Sequence, residues 1–187
     1  YQPGCSTAWR GWCFKVTPQG EFFPWSSGLR SPNGLGFSSN GDLFVSDNQG
    51  EYYGACVLLH ITRDSFHGHP NSLFWGPTAT ADPFGIPIQE LELRRKPPAI
   101  VFPYGVMGQS ASEPLWDETG GKFGPFAGQM FIGDQTKGGA LPGEVRWPEE
   151  TQRPGRPDPA DRGHPRRRYL QRLLPTRGPG AAGLQPA

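Results

Sequence analysis

No stretch of this sequence approaches the ~18 consecutive apolar residues of a membrane-crossing helix, and no segment repeats its apolar residues with a helical period. Neither a membrane span nor a long helix is therefore expected. The three cysteines, Cys5, Cys13 and Cys56, show no C-x-x-C or C-x-x-C-H spacing, so the chain specifies neither a zinc site nor a haem attachment. It also lacks a P-loop, a Gly-x-Ser-x-Gly elbow and a His-Glu-x-x-His pair. Gly34-Leu35-Gly36 opens like a dinucleotide fingerprint but is followed by no third glycine and no helix pattern. With 18 Lys+Arg against 17 Asp+Glu the formal net charge is +1, which supplies no general attraction to nucleic acid. The opening Tyr1-Gln2-Pro3-Gly4 carries no initiator Met, no basic n-region and no apolar h-region, and reads as a start in mid-protein without a signal peptide.

What the chain does hold is glycine and proline, 27 and 22 of its 187 residues, with a mean hydropathy of −0.56. Such a composition favours short elements joined by turns around a modest core. Two compositions are joined end to end. Residues 1–137 carry 9 basic and 12 acidic groups, a net of −3, and every Phe and every Lys; residues 138–187 carry 9 and 5, a net of +4, with 9 Pro. The division predicts a folded region over 1–137 and a disordered Arg/Pro/Gly-rich tail over 138–187, which cannot bury enough apolar surface to offset its ordering entropy. That tail is open to three readings: a basic arm for RNA or a partner, centred on Arg166-Arg167-Arg168-Tyr169; a linker; or a stretch read out of frame. The abrupt loss of Phe, Ile and Lys favours the third.

The folded region reads as strands. Gly11 to Val16 and Glu21 to Trp25, separated by Thr17-Pro18-Gln19-Gly20, form a hairpin pattern. Asn33 to Phe37 and Asp42 to Ser46 form a second, around an Asn40-Gly41 turn. Val57 to Ile61 is a further strand, and residues 66–99 are a proline-punctuated loop region. Gly41-Asp42-Leu43-Phe44-Val45-Ser46-Asp47-Asn48 returns 87 residues later as Gly128-Gln129-Met130-Phe131-Ile132-Gly133-Asp134-Gln135. One four-stranded propeller blade takes about 40–45 residues, so the spacing predicts an intervening blade between the two copies. The expected fold is all-β, an incomplete β-propeller of two to three blades; a sandwich explains the strands but not the recurrent strand-ending Asp.

Candidate residues sit in the loops and at the strand ends. Arg30 and Asn33 flank a proline-fixed turn and suit a carboxylated ligand, or else neighbouring loop carbonyls. Asp47 and Asp134 can offer oxygen to Ca²⁺ or, as such residues do more often, cap their own turns. His67 and His69, with His60 and Asp64 nearby, can bind a metal if a third ligand exists; hydrogen bonding to the loop backbone is the commoner role. Trp75, Tyr104, Trp116, Phe123 and Phe126 read as packing residues, one or two of them able to stack on a sugar ring.

The runs Gly28 to Leu35 and Gly41 to Gly50, followed by Leu59-His60-Ile61 and His67-Gly68-His69-Pro70, resemble the soluble quinoprotein glucose/sorbosone dehydrogenases. Trp116-Asp117 and Gly120 to Gln129 are similar to their bacterial membrane-bound or haem-binding relatives. The resemblance covers about residues 8–137. It implies part of a six-bladed β-propeller from a periplasmic or extracellular protein that oxidises a sugar or polyol with pyrroloquinoline quinone (PQQ) beside Ca²⁺. It assigns Arg30 and Asn33 to the quinone, and Gln49 and Gly50 to the loop whose carbonyls meet Ca²⁺. The family's Arg-Asn-Pro-Gln is Arg30-Ser31-Pro32-Asn33 here, and His67 stands where the family has Tyr. The resemblance places the family's catalytic His in an upstream blade, so no residue of this chain is assigned a catalytic role and the isolated chain is expected to be inactive. Electrons would pass to a c-type haem domain, also not in this chain. The alternative is a noncatalytic propeller that binds carbohydrate or protein.

Overall fold

A computed structural model describes residues 7–136 and 138–143. Its strands are β1 (Trp12–Val16), β2 (Phe22–Ser27), β3 (Pro32–Phe37), β4 (Leu43–Asp47), β5 (Val57–Ile61), β6 (Ile100–Val101), β7 (Ala111–Trp116), β8 (Met130–Asp134) and β9 (Gly139–Gly143). They form three antiparallel sheets in chain order: β1-β2, β3-β4-β5-β6 and β7-β8-β9. Among the described residues the regular structure is thus mostly strand with little helix, an all-β arrangement. Among the described residues no helix is long and apolar enough to cross a membrane.

Turn chemistry closes both hairpins. Thr17 accepts the Gly20 N–H on its carbonyl and the Glu21 N–H on its hydroxyl. Ser38 Oγ likewise accepts the N–H groups of Asn40 and Asp42, and Gly41 takes the positive φ of 83° that the turn requires.

The middle sheet is covered on both faces, which explains why Val57-Leu58-Leu59-His60-Ile61 is an almost unbroken apolar run. Phe44, Cys56 and Leu58 pack with Ile100, Phe102, Ala111, Met130 and Ile132 toward the third sheet. Val45, Val57, Leu59 and Ile61 pack with Leu29 and Tyr53 toward the first, backed by Cys13 and Trp25. Leu58 and Leu59, both fully buried, each contribute about 1.5–3 kcal/mol of hydrophobic stabilisation.

Between the second and third sheets the contact is made by their first strands. Gly34 faces Glu113 and Gly36 faces Pro114 so closely that a Cβ on Gly36 would stand 2.0 Å from the Pro114 carbonyl oxygen. Polar bonds pin the same seam: Asn33 Nδ2 donates to the Ala111 carbonyl at 3.0 Å, and Ser46 Oγ to that of Ser112 at 2.7 Å.

Three expectations are corrected. The two copies of the Phe-containing repeat end β4 and β8, the second strands of successive sheets, so no blade lies between them. The extra spacing comes from residues 62–99, which join β5 to β6 within one sheet and pack 65–72 against β2 through His67 N–H to Ser27 O and His69 N–H to Gly28 O. That connection also contains a short helix, α1 (Ile88–Arg94), whose two turns are too brief to show a period in the sequence. Finally, the third sheet runs past residue 137 through β9 to Gly143. The disordered tail read from the composition otherwise lies outside the described residues.

Gly36→Ala is expected to force β3 away from β7 and to lower the unfolding free energy by about 1–3 kcal/mol. At Gly54 an added Cβ meets nothing within 4 Å, so Gly54→Ala is expected to stay within about 0.5 kcal/mol. Urea unfolding of the two variants checks the pair.

Candidate functional site

The loops at one end of the middle sheet are organised by a buried carboxylate. Asp47, 2% exposed at the end of β4, accepts the backbone N–H groups of Arg30 at 2.8 Å, Ser31 at 2.7 Å and Asn48 at 2.9 Å. Burial raises its pKa and these three donors oppose the rise. Asn48 Nδ2 reinforces the loop by donating to the Ser31 carbonyl. Asp134 repeats the arrangement at the end of β8, accepting from the N–H groups of Gln109 and Thr136. Pro32 pairs with Asp47 as Ala111 pairs with Asp134, and each register then shifts. Both aspartates therefore perform the turn-capping role that the sequence left open beside the Ca²⁺ reading.

Capping brings Arg30 and Gly50 together. A Cβ at Gly50 would stand 2.0 Å from Arg30 Nε, so glycine lets the guanidinium lie across the loop backbone. Arg30 Nε pairs with Glu51 Oε2 at 3.0 Å, an interaction that lowers the Glu51 pKa. The Gly50 carbonyl accepts from Tyr53 N–H in a tight turn, and the Gln49 N–H points to Cys56 Sγ. Tyr52 sits at the turn's tip with a φ of 71°, its ring edge-on to His69 at 5.4 Å. His69 is pushed down to about 4, chiefly by burial; Glu51 opposes this, while Arg30 and Arg10 add to it. The cluster Arg10, Arg30, Glu51, Tyr52 and His69 thus shares one electrostatic neighbourhood.

Asn33 is placed differently. Its amide donates across the seam to Ala111, so it does not join Arg30 in a two-residue clamp. The donor set at this end fits a carboxylated ligand through Arg30. For Ca²⁺ it offers loop carbonyls at Gln49 and Gly50, the latter already accepting from Tyr53, because Asp47 is committed to three backbone donors.

No family model matches the chain, and no curated protein or solved structure matches it. Function has to be read from the geometry and the sequence pattern.

The histidines do not assemble. His67 is fully buried with Nε2 on Ser65 Oγ at 2.9 Å, whereas His69 Nδ1 accepts the Asn71 N–H. His60 turns instead to Asp42 and Lys96, and exposed Asp64 lies beside Arg63. Among the described residues no three His, Cys, Asp or Glu side chains converge as a metal-binding group. Trp116 packs on Phe44, and Phe123 and Phe126 pack on Phe131; Tyr104 is exposed. Sequence reading passed over Glu51 and Tyr52, whose signal is an acid and two aromatics held between Gly50 and Gly54.

Burial holds His67 at about 3 and His69 at about 4, so the unfolded chain takes up protons that the folded one refuses below about pH 6.5. Stability from both is present above that value and is lost as pH falls toward 4, each histidine adding a slope of up to about 1.4 kcal/mol per pH unit. Urea unfolding at several pH values is expected to show this fall, with a shallower slope in His67→Gln.

Proposed function

We propose that the three sheets are consecutive blades of a β-propeller of the quinoprotein glucose/sorbosone dehydrogenase type, part of a protein that oxidises a sugar or polyol in the periplasm or outside the cell. The observation that carries this reading is the joint placement of Arg30 and Gly50 by the Asp47 cap, at the loop end of a four-stranded meander. The close approach of β3 to β7 supports the blade arrangement, because propellers bring successive first strands together around a shared axis.

PQQ, when bound, accepts the two electrons taken from the substrate. This chain's contribution is to bind and orient: Arg30 holds a carboxylate, Gly50 leaves room for the guanidinium, and Asp47 fixes the loop that carries both Arg30 and Ser31. Gln49 and Gly50 offer carbonyls on the Ca²⁺ side, and Asn33 bounds the seam beside the quinone. No residue here is assigned the proton abstraction, and a haem domain receives the electrons.

Two observations favour a second reading, a noncatalytic platform for carbohydrate or protein: Arg30 already pairs with Glu51, and the Asn33 amide is engaged by the neighbouring sheet.

Titration of the chain with PQQ in the presence of Ca²⁺, followed by tryptophan fluorescence, separates the two. Saturable binding weakened about tenfold or more by Arg30→Ala is expected, the loss of one charge-assisted contact. Affinity unchanged by that substitution, or no binding at all, would sink the quinone assignment; saturable binding of an oligosaccharide in its place would establish the platform.

A further inference from the structure

The end of the middle sheet opposite Arg30 gathers four polar side chains that are scattered in the sequence. Asp42 precedes β4, His60 lies in β5, Thr62 follows it, and Lys96 follows α1. Lys96 Nζ donates to Thr62 Oγ1 at 2.9 Å and stands 3.5 Å from His60 Nδ1. On its other side, His60 Nε2 stands 3.7 Å from Asp42 Oδ1. An ammonium only donates, so Nδ1 faces it as the acceptor and the imidazole proton lies on Nε2, toward the carboxylate. Phe44 stacks on the imidazole at 5.0 Å and holds its plane. The order carboxylate, imidazole, amine is that of an activated nucleophile whose base is oriented by a third group.

We propose that Lys96 is an activated amine that condenses with small aldehydes or ketones to form an imine, with His60 as its base and Asp42 as a positioning residue. His60 Nδ1 takes a proton from the ammonium. The freed Nζ lone pair forms the C–N bond while the carbonyl π pair moves to oxygen, which takes the proton held by His60. Nitrogen's second proton then passes by way of His60 to the hydroxyl, which leaves as water as the nitrogen lone pair closes the C=N bond of a protonated imine, with no change of oxidation state.

Two further features support the site. Burial pushes Lys96 down to about 8 while Asp42 opposes the fall; Asp42, His60 and the buried His67 are the titratable groups that face it. Roughly a tenth of Lys96 is then free amine at pH 7, against less than about a thousandth of an unperturbed lysine. The cluster also opens to solvent, with the Asp42 side chain 40% and the His60 side chain 19% exposed.

The full chain, treated with limiting propionaldehyde and cyanoborohydride across a pH series, reports the rate at each lysine through peptide mass spectrometry. At pH 7 Lys96 is expected to be labelled at least about tenfold faster than exposed Lys15 and Lys122, its more than hundredfold larger share of free amine being partly offset by its burial and lower basicity, with a midpoint near 8. His60→Gln is expected to slow Lys96 severalfold and leave Lys15 unchanged, the melting curve serving to confirm folding. Asp42→Asn removes the charge that raises Lys96 and is expected to move its midpoint downward, a readout that stands even where His60→Gln does not fold. Lys96 labelled no faster than Lys15 would overturn the proposal; a rate unaffected by His60→Gln in a folded variant, or a midpoint unmoved by Asp42→Asn, would overturn the relay.

Discussion

A carboxylate buried at the end of a sheet's second strand is the constraint on which the described fold depends. Asp47 is desolvated, which disfavours its charge, and it is stabilised by three backbone donors supplied by chain on both sides of the middle sheet's first hairpin. The bonds to Arg30 and Ser31 tie the segment entering β3 to the end of β4. They therefore fix where the first strand begins and, through it, the seam with β7. Asp134 imposes the same geometry on the next sheet, with Gln109 in the position of Arg30. The recurrence of the brace, and not of any catalytic group, explains why the two Phe-containing segments resemble each other.

Much of this was legible in local chemistry. Both hairpins are marked by turn residues whose side chains or backbone make the expected bonds, and the buried strand Val57–Ile61 by its apolar run. What distance in sequence conceals was not legible. The spacing of Asp47 and Asp134 suggested an intervening blade because nothing local reveals that residues 62–99 begin and end in one sheet. Asn33 and Arg30 look like partners when read along the chain. The register shift after Pro32, which lies between them, accompanies a different outcome: the Asn33 amide bonds across the seam. Lys96 and His60, 36 positions apart, meet where the chain after α1 returns to the loop beyond β5, the Lys96 N–H donating to the Phe66 carbonyl.

The middle sheet separates two polar chemistries by an apolar span. Its faces are filled by Phe44, Leu58, Val45 and Leu59, while its ends carry Arg30 with Glu51 and Asp42 with Lys96. Coulombic communication between solvent-exposed charges decays over about 8–10 Å at ordinary salt. A five-residue strand spans roughly 17 Å, so the two ends act independently even though β4 carries Asp47 at one of them and adjoins Asp42 at the other.

The pairing of Arg30 with Glu51 bears directly on what the loop end can bind. The Glu51 side chain is 48% exposed and that of Arg30 19%. An ion pair so open to water contributes about 0–1 kcal/mol, because solvent screens it and both side chains lose freedom in forming it. The pair joins Arg30 Nε to Glu51 Oε2 at 3.0 Å, and carboxylates in general can engage a guanidinium edge through two parallel bonds. Glu51 is therefore a weakly held partner of a guanidinium that lies across Gly50. The close fit of Gly50 against Arg30 makes that orientation a property of the backbone, because any side chain at residue 50 would displace the guanidinium from the loop.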